Sequence, residues 1–193
     1  MVVKGHHFPN VTLVGVIAAD SSLYLEDYRS NERTFQILTQ VAGRAGRENE
    51  KGNVIIQTYN PENFAIECSK EQNYDMFYET EIELRKQLKY PPFCDIISIG
   101  LTDTDEVKIK NVSEKIYKYI NNYIKKEDIN MMIYKPLPCP IDKLKNRYRW
   151  RIIIKGNMTE EANLILNTCL KNIYQRDLKT TRITIDVNPN NMV

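Results

Sequence analysis

The rhythm of apolar and polar positions divides the chain into alternating strand-like and helix-like stretches. Residues 11–18 (VTLVGVIA) are an unbroken apolar, β-branched run, the pattern of a strand covered on both faces. A polar stretch follows over 20–30. Residues 31–45 place Phe35, Leu38, Val41 and Ala42 on one helical stripe, with Gly46 as the stop. Gly52 opens a second apolar strand over 53–58 (NVIIQT). Strand, helix and strand of this kind make half of an α/β domain, too short for a whole one. Residues 62–89 read as a helical bridge: Tyr74, Phe77, Tyr78, Ile82, Arg85 and Leu88 recur at helical spacing, acidic residues precede basic ones, and Pro91-Pro92 ends the run.

Beyond that bridge one order emerges. Residues 93–101 (FCDIISIGL) predict a strand and 105–126 a helix with Ile109, Val112, Ile116, Ile120 and Tyr123 inward. A short strand at 131–134 comes next. Pro136, Pro138 and Pro140 then predict an extended, non-helical loop. A strand over 148–155, a helix over 159–174 with Thr159 as N-cap and Ala162, Ile165, Leu166, Cys169, Leu170 and Ile173 inward, and an alternating strand over 182–187 complete it. The order β-α-β-β-α-β is ferredoxin-like. The expected fold class is therefore α/β plus α+β: a partial α/β portion over 1–61, a helical linker over 62–90, and a ferredoxin-like βαββαβ domain over 91–193.

Composition narrows the chemistry. Hydrophobic residues at 42% and charged residues at 27% permit a packed core, while a net charge of +2 means that nucleic-acid binding must come from local basic patches. Cys68, Cys94, Cys139 and Cys169 form no C-x-x-C pair, and His6 and His7, adjacent on an extended chain, point apart with no third ligand near. No metal site is expected. The dispersed cysteines suit a reducing, cytoplasmic setting. No apolar run is long enough to span a membrane and no signal-peptide pattern opens the chain, so no membrane partner is expected. The Glu79, Glu81 and Glu83 run reads as a solvated helix face, because i, i+2 spacing does not converge on one pocket.

Two basic features remain. In residues 40–47 (QVAGRAGR), Arg44 and Arg47 lie three apart, so one helical turn sets both guanidiniums on one side, with small residues between them. Such forks match phosphate oxygens bidentately. The alternative is a basic helix end that is simply solvated. The second feature is Lys143, Lys145, Arg147, Arg149 and Arg151, running on to Lys155. Strand parity puts Tyr148, Trp150, Ile152 and Ile154 on one face and the cations on the other, Ile153 excepted. Outward arginines suit sequence-independent phosphate contacts. They equally suit ion pairs with acidic residues of the helical bridge or a neighbouring domain.

Lys4-Gly5-His6-His7-Phe8-Pro9 followed by strand, loop, helix and QVAGRAGR resembles superfamily 2 helicases. The stretches AADSSLYLEDYRSNERTFQILTQVAGRAGR, GNVIIQTYNPENFAI, FYETEIELRKQLKYPPF, PLPCPIDKLKNRYRWRIIIK and IDVNPNNM narrow the resemblance, along nearly the whole chain, to the primosomal protein N′ family of replication-restart helicases. It implies that residues 1–61 are the C-terminal portion of a RecA-like helicase lobe 2. Gln40, Gly43, Arg44 and Arg47 fall on motif VI, with Arg44 and Arg47 as arginine fingers on the ATP γ-phosphate. Lys4 and Gly5 fall on motif V. His7 stands where the family pattern has an aspartate that contacts the ATP ribose, so that carboxylate is lacking here.

The phosphate loop and D-E-x-H box are absent from the sequence, as are the family's zinc-binding cysteine clusters. The resemblance therefore implies a C-terminal fragment that begins inside lobe 2. ATP and Mg would serve the intact enzyme and neither would be bound by this piece alone. It implies as partners branched DNA, single-stranded-DNA-binding protein and other primosome proteins. The competing readings are a non-enzymatic nucleic-acid or protein-binding module, and another superfamily 2 DNA translocase.

Overall fold

The computed structural model describes residues 11–43, 45, 52–174 and 180–192. The chain divides into two compact units, Met1–Leu84 and Arg85–Val193.

In the first unit, β1 (Leu13–Val16) pairs in parallel with β2 (Asn53–Ile56), and α1 (Ser30–Ala42) lies between them in sequence. A parallel pair needs such a crossover, because no tight turn can join its strands. Leu38 and Ile66 pack with Ala19 under the strands, and Val16 and Ile56 close that cluster. The other side of the pair is open: Leu13 is 59%, Ile17 82% and Ile55 62% exposed. The apolar run at 11–18 thus forms a shorter strand than its sequence predicts and is covered on one face only, since among the described residues only one helical layer lies against it.

The turn after β1 is fixed by Asp20. Its buried carboxylate accepts hydrogen bonds from the Thr58 hydroxyl (2.6 Å), the Tyr59 amide (2.8 Å) and the Asn60 amide (3.3 Å), which ties the exits of both strands together. Those donors, Thr58 first, hold its pKa below the ordinary carboxylate value.

The 62–89 stretch is two helices, α2 (Phe64–Lys70) and α3 (Tyr74–Gln87). They break at Gln72, which takes φ 52°, after which the Asn73 side chain accepts from the Met76 amide. Asn63 caps α2 through the Ala65 amide. Phe77 of α3 stacks on Phe35 of α1 with ring centroids 4.2 Å apart, and Ala65 and Cys68 complete that cluster. Most of the expected bridge thus packs as part of the first unit. Glu81 is buried rather than solvated, unlike its neighbours Glu79 and Glu83.

The second unit follows the β-α-β-β-α-β order with one strand added. Its elements are β3 (Asp95–Asp103), α4 (Glu106–Lys126), β4 (Met131–Ile133), β5 (Leu137–Leu144), β6 (Arg147–Gly156), α5 (Glu160–Tyr174) and β7 (Arg182–Val187). The sheet order is β4-β6-β3-β7 with β5 also on β6, and every pairing is antiparallel. This is an α+β domain.

The added strand is the proline-rich segment, expected as a loop. Its prolines lack the N–H of a central strand, yet an edge strand tolerates them. Pro138 pairs with Trp150, and the register slips between Pro138 and Lys143. Ile97, Ile99 and Leu101 of β3 and Ile152 and Ile154 of β6 pack on Ile109, Val112, Ile116, Ile120 and Ile124 of α4, with Leu166 of α5 and Ile183 of β7. Both helix starts are capped, Thr159 as the sequence predicts: the Asp105 carboxylate accepts from the Lys108 amide (2.9 Å) and the Thr159 hydroxyl from the Ala162 amide (3.2 Å).

Candidate nucleic-acid interface

Of the expected motif VI residues, Gln40 and Gly43 lie at the end of α1. Gln40 is exposed in its last turn, and Gly43, also exposed, is the C-cap, its amide donating to the Thr39 and Val41 carbonyls. The helix therefore ends before Arg44. Lys4, Gly5, His6, His7, Arg44 and Arg47 lie outside the described residues, so the proposed pairing of the two guanidiniums does too.

The second basic feature is described in full. On β6, Ile152 and Ile154 are buried, and Tyr148 and Trp150 pack against the same core. Parity then turns Arg147, Arg149, Arg151 and Lys155 to the opposite face. The sheet brings them beside small side chains: Arg149 pairs with Thr102, Arg151 with Gly100 and Ile153 with Ser98 of β3. Gly100 leaves room for Thr184 of β7: a Cβ there would sit 2.7 Å from its hydroxyl and force that side chain to shift. Thr184 in turn donates to the Gly100 carbonyl (3.4 Å).

The five expected residues do not behave alike. Lys143 and Lys145 are exposed, Lys143 near the end of β5 and Lys145 in the turn to β6. The Lys143 ammonium sits 4.5 Å from the Tyr148 ring centroid and donates to its hydroxyl (3.3 Å). The arginines reach backbone carbonyls: Arg147 donates to Thr180 (3.1 Å), Arg149 to Ile141 (3.4 Å) across the slipped register, and Arg151 to Met192 in the C-terminal segment. A carbonyl orients a guanidinium without cancelling its charge. Among the described residues, neither Arg147 nor Arg149 has a carboxylate within ion-pair distance. Lys155, at the far end, lies 3.5 Å from the Tyr90 ring centroid and donates to the Leu88 carbonyl (3.4 Å), and burial lowers its pKa.

A group that the sequence reading missed braces this strip. Asp103, the last residue of β3, is buried and accepts from the hydroxyls of Thr181 (2.5 Å) and Thr180 (2.9 Å) and the amide of Asp105 (3.2 Å), with the Lys108 ammonium at 3.7 Å. Burial pushes its pKa up, but the Thr181 hydroxyl, the Asp105 amide, the Thr180 hydroxyl and the Thr104 amide outweigh it and bring the value down to about 2. Thr180 thus links the Asp103 carboxylate to the Arg147 guanidinium. The signal was present in the parity of β3, where a carboxylate follows Ile97, Ile99 and Leu101 on the inward register.

Residues 86–190, more than half of the chain, match the family model described as primosomal protein N C-terminal domain. The chain belongs to this family. Among curated proteins it is similar to the replication restart protein PriA of Bacillus subtilis (strain 168), at 38% identity over 98% of this chain and 23% of that protein. It is also similar to the protein of the same name from Synechocystis sp., at 41% over 80% of this chain and 18% of its relative, and from Haemophilus influenzae, at 30% over 100% and 26%. The chain therefore spans about a quarter or less of the length of these relatives. A de novo designed protein with ferredoxin fold overlays with a TM-score of 0.37 at 19% identity over 50% of this chain and 86% of its own, too weak a likeness to bear on the fold.

The matched family region contains β3 to β7, and with them the basic strip and its Asp103 brace. Among the described residues no cluster of three or more His, Cys, Asp or Glu could hold a metal ion, and no helix is long and apolar enough to cross a membrane.

Proposed function

We propose that this chain is the C-terminal part of an ATP-dependent DNA helicase that acts in replication restart. The observation that carries this reading is its membership of the primosomal protein N C-terminal domain family, with PriA relatives aligned along up to its whole length. The parallel β1-α1-β2 unit supports assignment of residues 1–61 to a RecA-like lobe 2, and of Gln40, Gly43, Arg44 and Arg47 to its nucleotide-sensing motif. In the complete enzyme ATP and Mg would sit between this lobe and the one that carries the phosphate loop. There Arg44 and Arg47 would stabilise charge on the transferred phosphoryl group, and Lys4 and Gly5 would couple nucleotide to the DNA backbone.

The ferredoxin-like second unit would hold branched DNA through Lys143, Lys145, Arg147, Arg149 and Arg151, in a cytoplasmic complex with single-stranded-DNA-binding protein and other primosome proteins. Carbonyl-bonded arginines favour this DNA reading over internal ion pairs. In the full-length helicase, Arg44→Ala or Arg47→Ala is expected to lower DNA-stimulated ATP turnover by about 10³-fold while DNA binding persists. The chain by itself is expected to show no turnover with ATP, magnesium and forked DNA. Unchanged turnover in the full-length variants would instead favour a binding module without a motor role.

A further inference from the structure

The basic strip ends in a two-residue turn between β5 and β6. Leu144 of β5 pairs with Arg147 of β6, and only Lys145 and Asn146 join them, with φ of 49° and 60°. Two successive positive φ values are the mark of a type I′ turn, the tightest connection compatible with strand twist. From Tyr148 onward β6 also carries β3 on its other edge, so only the tip, Leu144 to Arg147, is two-stranded, with its two backbones roughly 4.8 Å apart. Cations stand on both strands and in the turn: Lys143 before it, Lys145 within it and Arg147 after it. The exposed large apolar side chains of β5 are aliphatic: Leu137, Ile141 and Leu144. The two rings of β6, Tyr148 and Trp150, are half-buried and pack against the core on one face, with Lys143 lying over Tyr148.

We propose that the tip of the β5–β6 hairpin is a short ribbon that enters a groove of duplex DNA, so that the second unit grips a double-stranded arm rather than an unpaired strand. This rests on the DNA reading above and specifies the form of DNA. A major groove about 12 Å wide admits a two-stranded ribbon, and aliphatic groups suit the thymine methyls exposed there. Cations on both strands of the ribbon face the phosphates of both groove walls. Single-strand binders instead present open rings on which bases stack, whereas the rings of this hairpin pack against the core and, at Tyr148, under Lys143. The brace gives the ribbon a fixed aim. Arg147, directly after the turn, holds the Thr180 carbonyl, and the Thr180 hydroxyl is held by Asp103 and lies 2.5 Å from the Lys108 ammonium. A ribbon fixed beforehand loses little freedom on docking.

The test is fluorescence anisotropy of the whole chain with a blunt duplex and with one of its strands, across a salt series. The charge-removing variants are Lys143→Gln and Lys145→Asn. Asparagine tolerates positive φ, so the turn survives, and neither side chain contributes to the core. The duplex is expected to bind about tenfold tighter than the strand, and the double variant to weaken duplex binding at least tenfold and to lower the magnitude of its salt slope by about 2. Equal affinity for duplex and strand overturns the ribbon but leaves the DNA reading standing, as does preferential duplex binding that the tip variants do not change. Failure to bind either form overturns both.

Discussion

The two sheets use similar apolar residues and meet water differently. In the first unit, β1 and β2 lie parallel, and Leu13, Ile17 and Ile55 face outward. In the second, β3 alternates: Ile97, Ile99 and Leu101 enter the core while Ser98, Gly100 and Thr102 take the other face. An antiparallel sheet with helices on one side can leave its second face wet, because that face is polar by sequence. A parallel pair with apolar residues on both faces cannot do so without exposing them. The second unit thus shows a finished core, and the first shows a core with one layer in place.

That contrast can be broken most forcefully at Ile152. Ile152→Ala is expected to cost about 2–5 kcal/mol, the range for truncating a well-packed core aliphatic. Chemical denaturation followed by fluorescence of Trp150, the chain's single tryptophan, reads it from within the second unit. A loss below this range would mean a looser core than the packing implies.

The next effect is acid sensitivity. Asp103 has a folded pKa of about 2 against an ordinary 3.8, so its contribution is complete above about pH 4 and is lost as pH falls through about 2. Acid titration of the Trp150 signal should show the wild type losing stability across that window. Asp103→Asn should be less stable than wild type at neutral pH and should lack this component. An Asn variant that titrates like wild type would remove Asp103 as the brace. Smaller again is Asp105→Ala, which takes the cap from α4 and is expected to cost about 1 kcal/mol by thermal melting. The smallest effect belongs to the open sheet: Ile55→Ala is expected to change stability by no more than about 0.5 kcal/mol. If circular-dichroism melts show Ile55→Ala costing as much as Ile152→Ala, the difference between the two units disappears.

Legibility in the sequence followed locality. The strand over 182–187 and the cap at Thr159 are set by neighbours along the chain, and they stand where the pattern puts them. The break at Gln72 carries no glycine or proline, so nothing local announced it. Prolines at 136–140 read as a loop, because their tolerance depends on lying at an edge, a fact of sheet order rather than of sequence. Outward cations on β6 were legible from parity. The joining of Thr180 to Asp103 was not, since it spans 77 positions and depends on β7 lying beside β3.

The two-residue turn at Lys145 and Asn146 also has a consequence in time. A hairpin closed by adjacent residues needs no distant part of the chain and forms in about 1–10 μs. The pairing of Leu13 with Asn53 must wait until the whole of α1 has been gathered between them. During folding, then, the candidate DNA ribbon is among the earliest pieces able to exist, and the parallel pair of the first unit among the latest.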